Sequence, residues 1–99
     1  MRKTSKDIIA EFIKGATDGI SGSNSNPGNL KIRGDQIIHY STPILEREGE
    51  KYILNMTRYS VPTGRVQKCI QEALESSSYR MVLRVPRDYK GSLKDFEIL

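Results

Sequence analysis

Apolar residues recur at helical spacing near the start of the chain: Ile8, Ile9, Phe12, Ile13 and Ala16. Charged residues fill the positions between them, so this stretch has one apolar face and one polar face. Either Thr4 or Ser5 can cap a helix here, and Gly15 and Gly19 indicate where it ends. We predict a helix over residues 5–16 whose apolar face packs in the core.

The second amphipathic stretch is the clearest in the sequence. Its apolar stripe has spacings of three and four residues and consists of Val66, Cys69, Ile70, Ala73 and Leu74. Gln67 and the charged residues of this stretch are expected to face solvent. The cap is either Ser60, followed by Pro62 in the first turn, or Thr63. We predict a helix over residues 62–76.

Between the two helices, apolar residues alternate with polar ones in short runs that are typical of strands. Gly34-Asp35 and Gly49-Glu50 separate these runs as turns. Pro43 marks a bulge, an edge or a break, because proline cannot donate a hydrogen bond to a strand ladder. Residues 29–59 are therefore predicted to form an antiparallel meander, and residues 79–85 a further strand.

Two segments lack such patterns. Residues 17–28 contain mostly Gly, Ser, Asn and Asp, and we predict a flexible loop rather than a phosphate cradle, since no Gly-rich phosphate motif is present. Residues 86–99 form a polar tail whose late apolar residues can dock on the core or on a partner. Residues 1–99 are thus predicted to be one α+β domain. In it, two helices pack on one face of an antiparallel sheet of four to five short strands, in the order α-β-β-β-α-β.

Composition narrows the possible functions. The formal charge of +4, from 16 basic and 12 acidic residues, permits contact with nucleic acid without requiring it. No stretch has the pattern of a signal peptide or a membrane span, and the single cysteine cannot form an internal disulfide. We therefore expect a cytoplasmic protein with no membrane partner. One cysteine and one histidine give no close ligand pair, so no metal or cofactor is predicted.

Candidate catalytic groups are sparse. An enzyme built on His39, the only histidine, needs a nucleophile and an orienting acid that the sequence does not place. Cys69 is expected to behave as a small hydrophobic residue. Glu46, Glu48 and Glu50 surround a turn, and we interpret them as a solvated edge rather than a glycosidase-like acid pair. We predict a protein without enzymatic activity. The alternative, an enzyme acting around His39, requires a pocket that joins His39 to a carboxylate.

Basic residues alternate with apolar ones on two predicted strands. If those strands are neighbours, their cations share one open sheet face, where tyrosines would add stacking surfaces for bases. The other interpretation is an ordinary solvated face. The candidate residues for binding a partner or nucleic acid are Lys31, Arg33, Arg58, Arg65, Arg80 and Arg84.

Polar side chains crowd the junction between the meander and the second helix, over residues 55–67. They could bind an anion at the helix start, where backbone N–H groups are unpaired. They could equally form a capping network in which Asn55 and Gln67 satisfy the loop backbone. The sequence favours the capping network.

Residues 29–67 contain N-L-K-I-R-G-D, then Y-S-T-P-I, then L-N followed by Y-S, a threonine and a glutamine. In these motifs the chain resembles a family of small proteins from phages and other mobile elements. The family pattern is N-L-x-I-x-G-D, Y-x-T-x-I-A and L-N-x-x-x-Y-S-x-T-T-x-x-H-Q. This chain has Leu45 in place of the alanine, Pro62 in place of the first threonine and Val66 in place of the histidine. The resemblance therefore implies no role for that histidine.

The resemblance implies both a site and a role. The site residues it implies are Tyr40, Thr42, Asn55, Tyr59, Ser60, Thr63 and Gln67. Small phage-type proteins that lack catalytic motifs bind host machinery. Inhibitors of CRISPR nucleases are similar to this chain in their small size and in their lack of catalytic motifs. We expect a protein that binds a host protein or ribonucleoprotein complex in the host cytoplasm. An anti-CRISPR, which inhibits a CRISPR nuclease complex, is one form of this role. The alternative is a nucleic-acid-binding accessory domain with a basic sheet face, which contacts DNA or RNA.

Overall fold

The computed structural model describes residues 3–23 and 25–96, which form two α-helices, six strands and a short 3₁₀ helix. In chain order these are α1 Ser5–Ile13, β1 Asp18–Gly22, β2 Pro27–Arg33, β3 Gln36–His39, β4 Thr42–Glu48, β5 Lys51–Asn55, α2 Val61–Ala73, β6 Tyr79–Val82 and the 3₁₀ helix Leu93–Asp95. The predicted α+β class is confirmed. No helix in this part of the chain is long and apolar enough to cross a membrane.

The sheet is mixed and has six strands in the order β1-β2-β3-β4-β5-β6, rather than being antiparallel with four to five. Strands β1 to β5 pair antiparallel, whereas β6 pairs parallel with β5. Helix α2 lies between β5 and β6 in sequence. It brings the chain back to the end of the sheet where β5 began, so that β6 can run parallel to β5. The predicted order α-β-β-β-α-β is therefore only roughly matched.

The strand missing from the prediction is β1, which lies in the segment 17–28 that we predicted to be a flexible loop. That prediction was wrong because Gly and Ser give no strand pattern, although here they allow close backbone pairing. A Cβ atom on Gly28 would overlap the Ser21 Oγ atom. This hydroxyl accepts a hydrogen bond from the backbone N–H of Leu30 at 3.2 Å. Asn24 lies outside the described residues.

Both helices pack on the same face of the sheet, over a core of buried aliphatic residues and Phe12. Thr4 caps α1: its hydroxyl accepts from the N–H of Asp7 at 3.2 Å, and the Asp7 carboxylate accepts from the N–H of Thr4 at 2.8 Å. The helix ends at Ile13, earlier than predicted, and Gly15 follows in a left-handed conformation with φ of 109°. Helix α2 is similarly shorter than the predicted 62–76 at its C-terminal end.

The predicted strand 79–85 ends at Val82, and Arg84 then has a positive φ of 62°. Pro43 lies within β4 at a bulge. Residue Ile37 pairs with Leu45 while Ile38 pairs with Pro43, so β4 has one additional residue between them. Of the three alternatives for this proline, the bulge is the one that the structure shows.

The other face of the sheet is covered by the C-terminal tail. Ile53 and Val82 point to this face, and together with Val85 and Leu93 they form a second, smaller core. The described part of the tail therefore docks on its own sheet. Residues 97–99 lie outside the described part.

Glu46 anchors the tail. It is only 4% exposed, which contradicts the predicted solvated edge. Its carboxylate accepts hydrogen bonds from the N–H of Leu93 at 2.8 Å, the Ser92 hydroxyl at 2.5 Å and the Gln36 side-chain amide at 2.8 Å. These bonds join β4 and β3 to the tail across the sheet face.

Candidate functional site

A pocket of about 360 Å³ opens at one end of the sheet, where β3 ends, β4 begins and the loop before α2 meets the start of the tail. We call it the sheet-end pocket. Its wall consists of His39, Tyr40, Thr42, Tyr59, Ser60, Pro62, Thr63, Arg87 and Asp88. The volume lies within the range of about 300–1,000 Å³ that is usual for small-ligand sites.

Asn55 holds the pocket together from behind. It is fully buried, and its side-chain amide donates to the Pro43 carbonyl and to the Tyr59 hydroxyl, both at 2.9 Å. Its side-chain oxygen accepts from the N–H of Thr57 at 2.9 Å. The Tyr59 hydroxyl in turn donates to the Val85 carbonyl at 2.6 Å. One side chain therefore links the bulge of β4, the loop before α2 and the start of the tail.

Gln67 fixes the same loop from the helix side. Its amide donates to the carbonyl of Asn55 at 2.7 Å and to that of Thr57 at 2.9 Å. Gln67 is 4% exposed, so the expectation that it faces solvent was wrong. Its position four residues after Thr63 and three before Ile70 places it on the buried stripe of α2.

Ser60 caps α2 in the way that the capping-network interpretation describes. Its hydroxyl accepts from the N–H of Thr63 at 3.3 Å, and Pro62 in the first turn has no N–H. These two features leave few unpaired N–H groups at the helix start. The helix start is therefore a poor anion site by itself.

His39 lies at the bottom of the pocket and is 6% exposed. Its Nδ1 atom lies 2.9 Å from the Thr63 hydroxyl, which also accepts a hydrogen bond from Ser60 at 3.1 Å. Burial lowers the pKa of the His39 imidazole below its usual 6.5, so the ring is uncharged at neutral pH. No buried side-chain polar atom of the described residues lacks a partner. The Nε2 atom, which makes no hydrogen bond there, is therefore not fully buried.

The pocket wall contains both His39 and a carboxylate, that of Asp88, as the enzyme alternative requires. Within the described residues, however, no hydrogen bond joins the two, and the Nδ1 atom of His39 contacts Thr63 instead. The Ser60 hydroxyl donates to Thr63 rather than to His39, so the imidazole does not activate it. No group of three potential metal ligands occurs in this part of the chain. The hydroxyl that contacts the imidazole is that of Thr63, which is buried and accepts from Ser60, and the pocket wall presents further hydrogen-bonding groups to a ligand.

Tyr40 is the unusual residue of the pocket rim. Three hairpins of the sheet have two-residue loops, and the first loop residue has a positive φ in each: 60° at Gly34, 57° at Tyr40 and 63° at Gly49. Glycine adopts this conformation without strain, whereas in a bulky residue the strain lowers the free energy of unfolding by about 1–2 kcal/mol. The Tyr40 ring is nevertheless 52% exposed, and its centroid lies 4.5 Å from that of the His39 ring. Strained residues concentrate at functional sites, which makes this ring a candidate ligand contact.

Replacing Tyr40 with glycine is expected to raise the free energy of unfolding by up to about 1 kcal/mol, because the backbone strain is relieved. The matched control is Gly49→Ala, which places a Cβ atom in the same conformation where no atom lies within 4 Å. That variant should lose about 1 kcal/mol through strain alone. Urea denaturation of the variants and the parent measures both values. If Tyr40→Gly instead lowers the free energy of unfolding as much as Gly49→Ala does, the Tyr40 ring stabilises the folded protein.

His39 should make stability depend on pH. Because burial lowers its folded-state pKa below 6.5, the unfolded chain binds a proton at a higher pH than the folded chain does. Above the pKa that His39 has in the unfolded chain, the free energy of unfolding should thus stay level. It should decrease as the pH falls from there through the folded-state pKa. Urea denaturation between about pH 7.5 and pH 5 measures this loss, which His39→Asn should remove. An equal loss in His39→Asn would assign the pH dependence to other groups.

The structure does not bring the predicted basic residues onto one face. Strands β2 and β6 are four strand spacings apart, about 19 Å, and the tail covers the sheet face between them. Arg80 is half-buried and donates to the Glu48 carboxylate and the Phe96 carbonyl, each at 3.2 Å. The two strands are therefore not neighbours, and the shared basic face of Lys31, Arg33, Arg80 and Arg84 does not form.

One arginine lies in the wall of the sheet-end pocket, and three others lie in neighbouring segments of the chain. Arg58 lies in the loop before α2, Arg65 in the first turns of α2, Arg84 after β6 and Arg87 in the pocket wall. All four are exposed, and none forms an ion pair within the described residues. Sequence reasoning missed Arg87 and Asp88, because only the path of the tail brings them to the pocket. The N–H of Asp88 donates to the Thr42 hydroxyl at 2.9 Å.

All seven polar residues of the phage-type pattern do come together. Five line the pocket, and Asn55 and Gln67 support it from behind. No family model, curated protein or solved structure matches this chain. The site is therefore interpreted from its own geometry.

Proposed function

We propose that this protein is a non-enzymatic binding protein, and that the sheet-end pocket with its arginine-rich rim is its recognition surface. The observation that carries the proposal is the convergence of the seven pattern residues, of which five line one pocket and two support it from behind. The sequence resemblance supplies the narrower proposal: a phage or mobile-element protein that binds a host protein or ribonucleoprotein complex and inhibits it, as an anti-CRISPR does.

The composition of the pocket end supports a macromolecular partner. Tyr40 is 52% exposed, and Val61, at the start of α2, is 70% exposed. Exposed tyrosine and arginine side chains around an apolar centre are typical of the residues that contribute most to protein interfaces. The buried amides of Asn55 and Gln67 hold this surface in shape, so binding costs little conformational entropy.

A pull-down from host lysate tests the proposal, with and without nuclease treatment. The bait is the tagged protein, its double variant Tyr40→Gly/Arg87→Gln, or the control Arg33→Gln, which removes an exposed arginine at the far side of the sheet. We expect the parent and the control to capture the same partner after nuclease digestion and the double variant to lose it. Capture by all three baits would exclude the pocket as the recognition surface. A nuclease assay with the captured complex then tests inhibition.

A nucleic-acid-binding accessory domain is the second candidate. The observation that favours it is a group of four exposed arginines, Arg58, Arg65, Arg84 and Arg87, none of which forms an ion pair within the described residues. Binding of this kind should weaken steeply with salt, since each phosphate contact releases counterions. It predicts recovery of nucleic acid alone in the pull-down, with loss on nuclease digestion or in high salt. The double variant Arg58→Gln/Arg84→Gln should reduce the slope of affinity against salt.

A further inference from the structure

We propose that the sheet-end pocket holds one nucleoside phosphate, with the base against the Tyr40 ring and the phosphate against the Arg87 guanidinium. The inference rests on the proposed binding function and names the chemical group that the pocket recognises. The group could come from a free nucleotide or from an unpaired nucleotide of a strand, and the experiment separates these sources.

The base is assigned to Tyr40 because of how that ring is held. Its backbone is strained where the two equivalent hairpins have glycine, and the ring contacts His39 at a tilt of 59° while remaining half exposed. A ring kept open at a pocket rim is a stacking surface, and bases stack on aromatic side chains without regard to sequence. His39 lines the pocket, and its Nε2 atom, which makes no hydrogen bond within the described residues, can pair with a base edge.

The phosphate is assigned to Arg87. Its guanidinium makes one long hydrogen bond, 3.5 Å to the Tyr59 carbonyl, so most of its N–H donors remain available. The planar guanidinium matches the geometry of phosphate oxygens. Arg58 and Arg84, exposed near the same end, raise the local positive potential.

The remaining pocket groups fit a sugar or a base edge. The Asp88 side chain carries the carboxylate of the wall, and its backbone has a positive φ of 62° and is fixed to the Thr42 hydroxyl. A carboxylate repels phosphate, so it must face the sugar hydroxyls or an amino group of the base. A phosphate ion alone fits less well, because Pro62 and the capped N–H of Thr63 remove the donors that a helix start would offer.

The test is a titration followed by amide NMR spectra, with the four nucleoside 5′-monophosphates, short single-stranded RNA and DNA, and inorganic phosphate as separate probes. At least one nucleotide should shift the amide signals of Tyr40, Thr63 and Asp88, and inorganic phosphate should not. Tyr40→Gly should weaken binding about tenfold. Because that variant is expected to be at least as stable as the parent, unfolding would not explain the loss. Arg87→Gln should weaken binding and its salt dependence, and Arg33→Gln should change neither.

Each outcome supports or overturns the inference. Affinity that rises with strand length assigns the nucleotide to a strand, whereas equal affinity for the monophosphate assigns a free nucleotide. No shift with any nucleotide, equal shifts with phosphate alone, or unchanged binding by Tyr40→Gly overturns the inference. If nucleotides fail but the pocket double variant still loses its partner in the pull-down, the proposed function stands and only the ligand class is wrong.

Discussion

Replacing Glu46 with alanine is expected to lower the free energy of unfolding by about 3 kcal/mol and to abolish binding at a pocket that Glu46 does not line. The Glu46 carboxylate accepts hydrogen bonds from Gln36, Ser92 and Leu93. Without it, the buried N–H of Leu93 and the Ser92 hydroxyl lose their acceptor, and an unsatisfied buried group costs about 1–3 kcal/mol. The Gln36 amide, in contrast, keeps its bond to the Gly91 carbonyl at 3.0 Å. The desolvation of the carboxylate, relieved in the variant, offsets part of this loss.

The effect on the pocket follows from the tail. Its first residues provide Arg87 and Asp88 to the pocket wall. Farther along, the bond between Leu93 and Glu46 anchors the tail to the sheet. When the anchor is lost, the tail is held to the pocket by the bond from Asp88 to Thr42 and by the contacts of Val85. Loss of binding should therefore accompany loss of stability. Amide exchange should show residues 87–96 losing protection before the sheet does.

The matched control is Glu48→Gln, on the same strand and the same sheet face. Glu48 is a half-exposed partner of Arg80, and a hydrogen bond from that guanidinium lowers the pKa of its carboxyl. Exposed pairs contribute about 0–1 kcal/mol, so this variant should remain close to the parent in stability and in binding. If Glu46→Ala binds as the parent does, the pocket wall does not depend on the anchored tail.

Replacing Arg47 with alanine is expected to lower the free energy of unfolding by about 3 kcal/mol. Helix α1 has no basic residue in its last turn. The Arg47 guanidinium contacts the end of this helix and the segment after it: it donates to the Phe12 carbonyl at 2.6 Å, which also accepts from the N–H of Gly15, and to the Ala16 carbonyl at 2.5 Å. It also lies 3.9 Å from the centroid of the Phe12 ring and donates to the Gly34 carbonyl at 3.1 Å. One side chain thereby joins the end of α1 to the β2–β3 hairpin.

Arg47→Lys separates geometry from charge in this contact. A lysine retains the positive charge near the helix end but cannot bond two carbonyls and a turn with one planar group. We expect it to recover less than half of the lost stability in urea denaturation, and Arg33→Ala to stay within about 0.5 kcal/mol of the parent. A lysine variant as stable as the parent would show that charge alone stabilises the end of α1.

The sequence alone determined the elements whose signals are local. The apolar spacing and caps of α1 and α2, and Gly34 and Gly49 in their hairpin loops, identify these structures within a few residues of themselves. The seven pattern residues were also identified from the sequence, as a string of residue types. Residues that bond over long separations gave misleading signals. Glu46 and Arg47 occur in an alternating charged run that is typical of solvent-exposed edges, and only their distant partners make them structural.

The tertiary structure alone decided the arrangement of the site. The parallel pairing of β6 with β5 separated the basic strands, and the return of the tail across the sheet brought Arg87 and Asp88 to Thr42 and Tyr59. These contacts join residues up to 46 positions apart in the chain. Their free energy comes from burial and hydrogen bonding between surfaces that exist only after the sheet has formed, so no local pattern of residues encodes them.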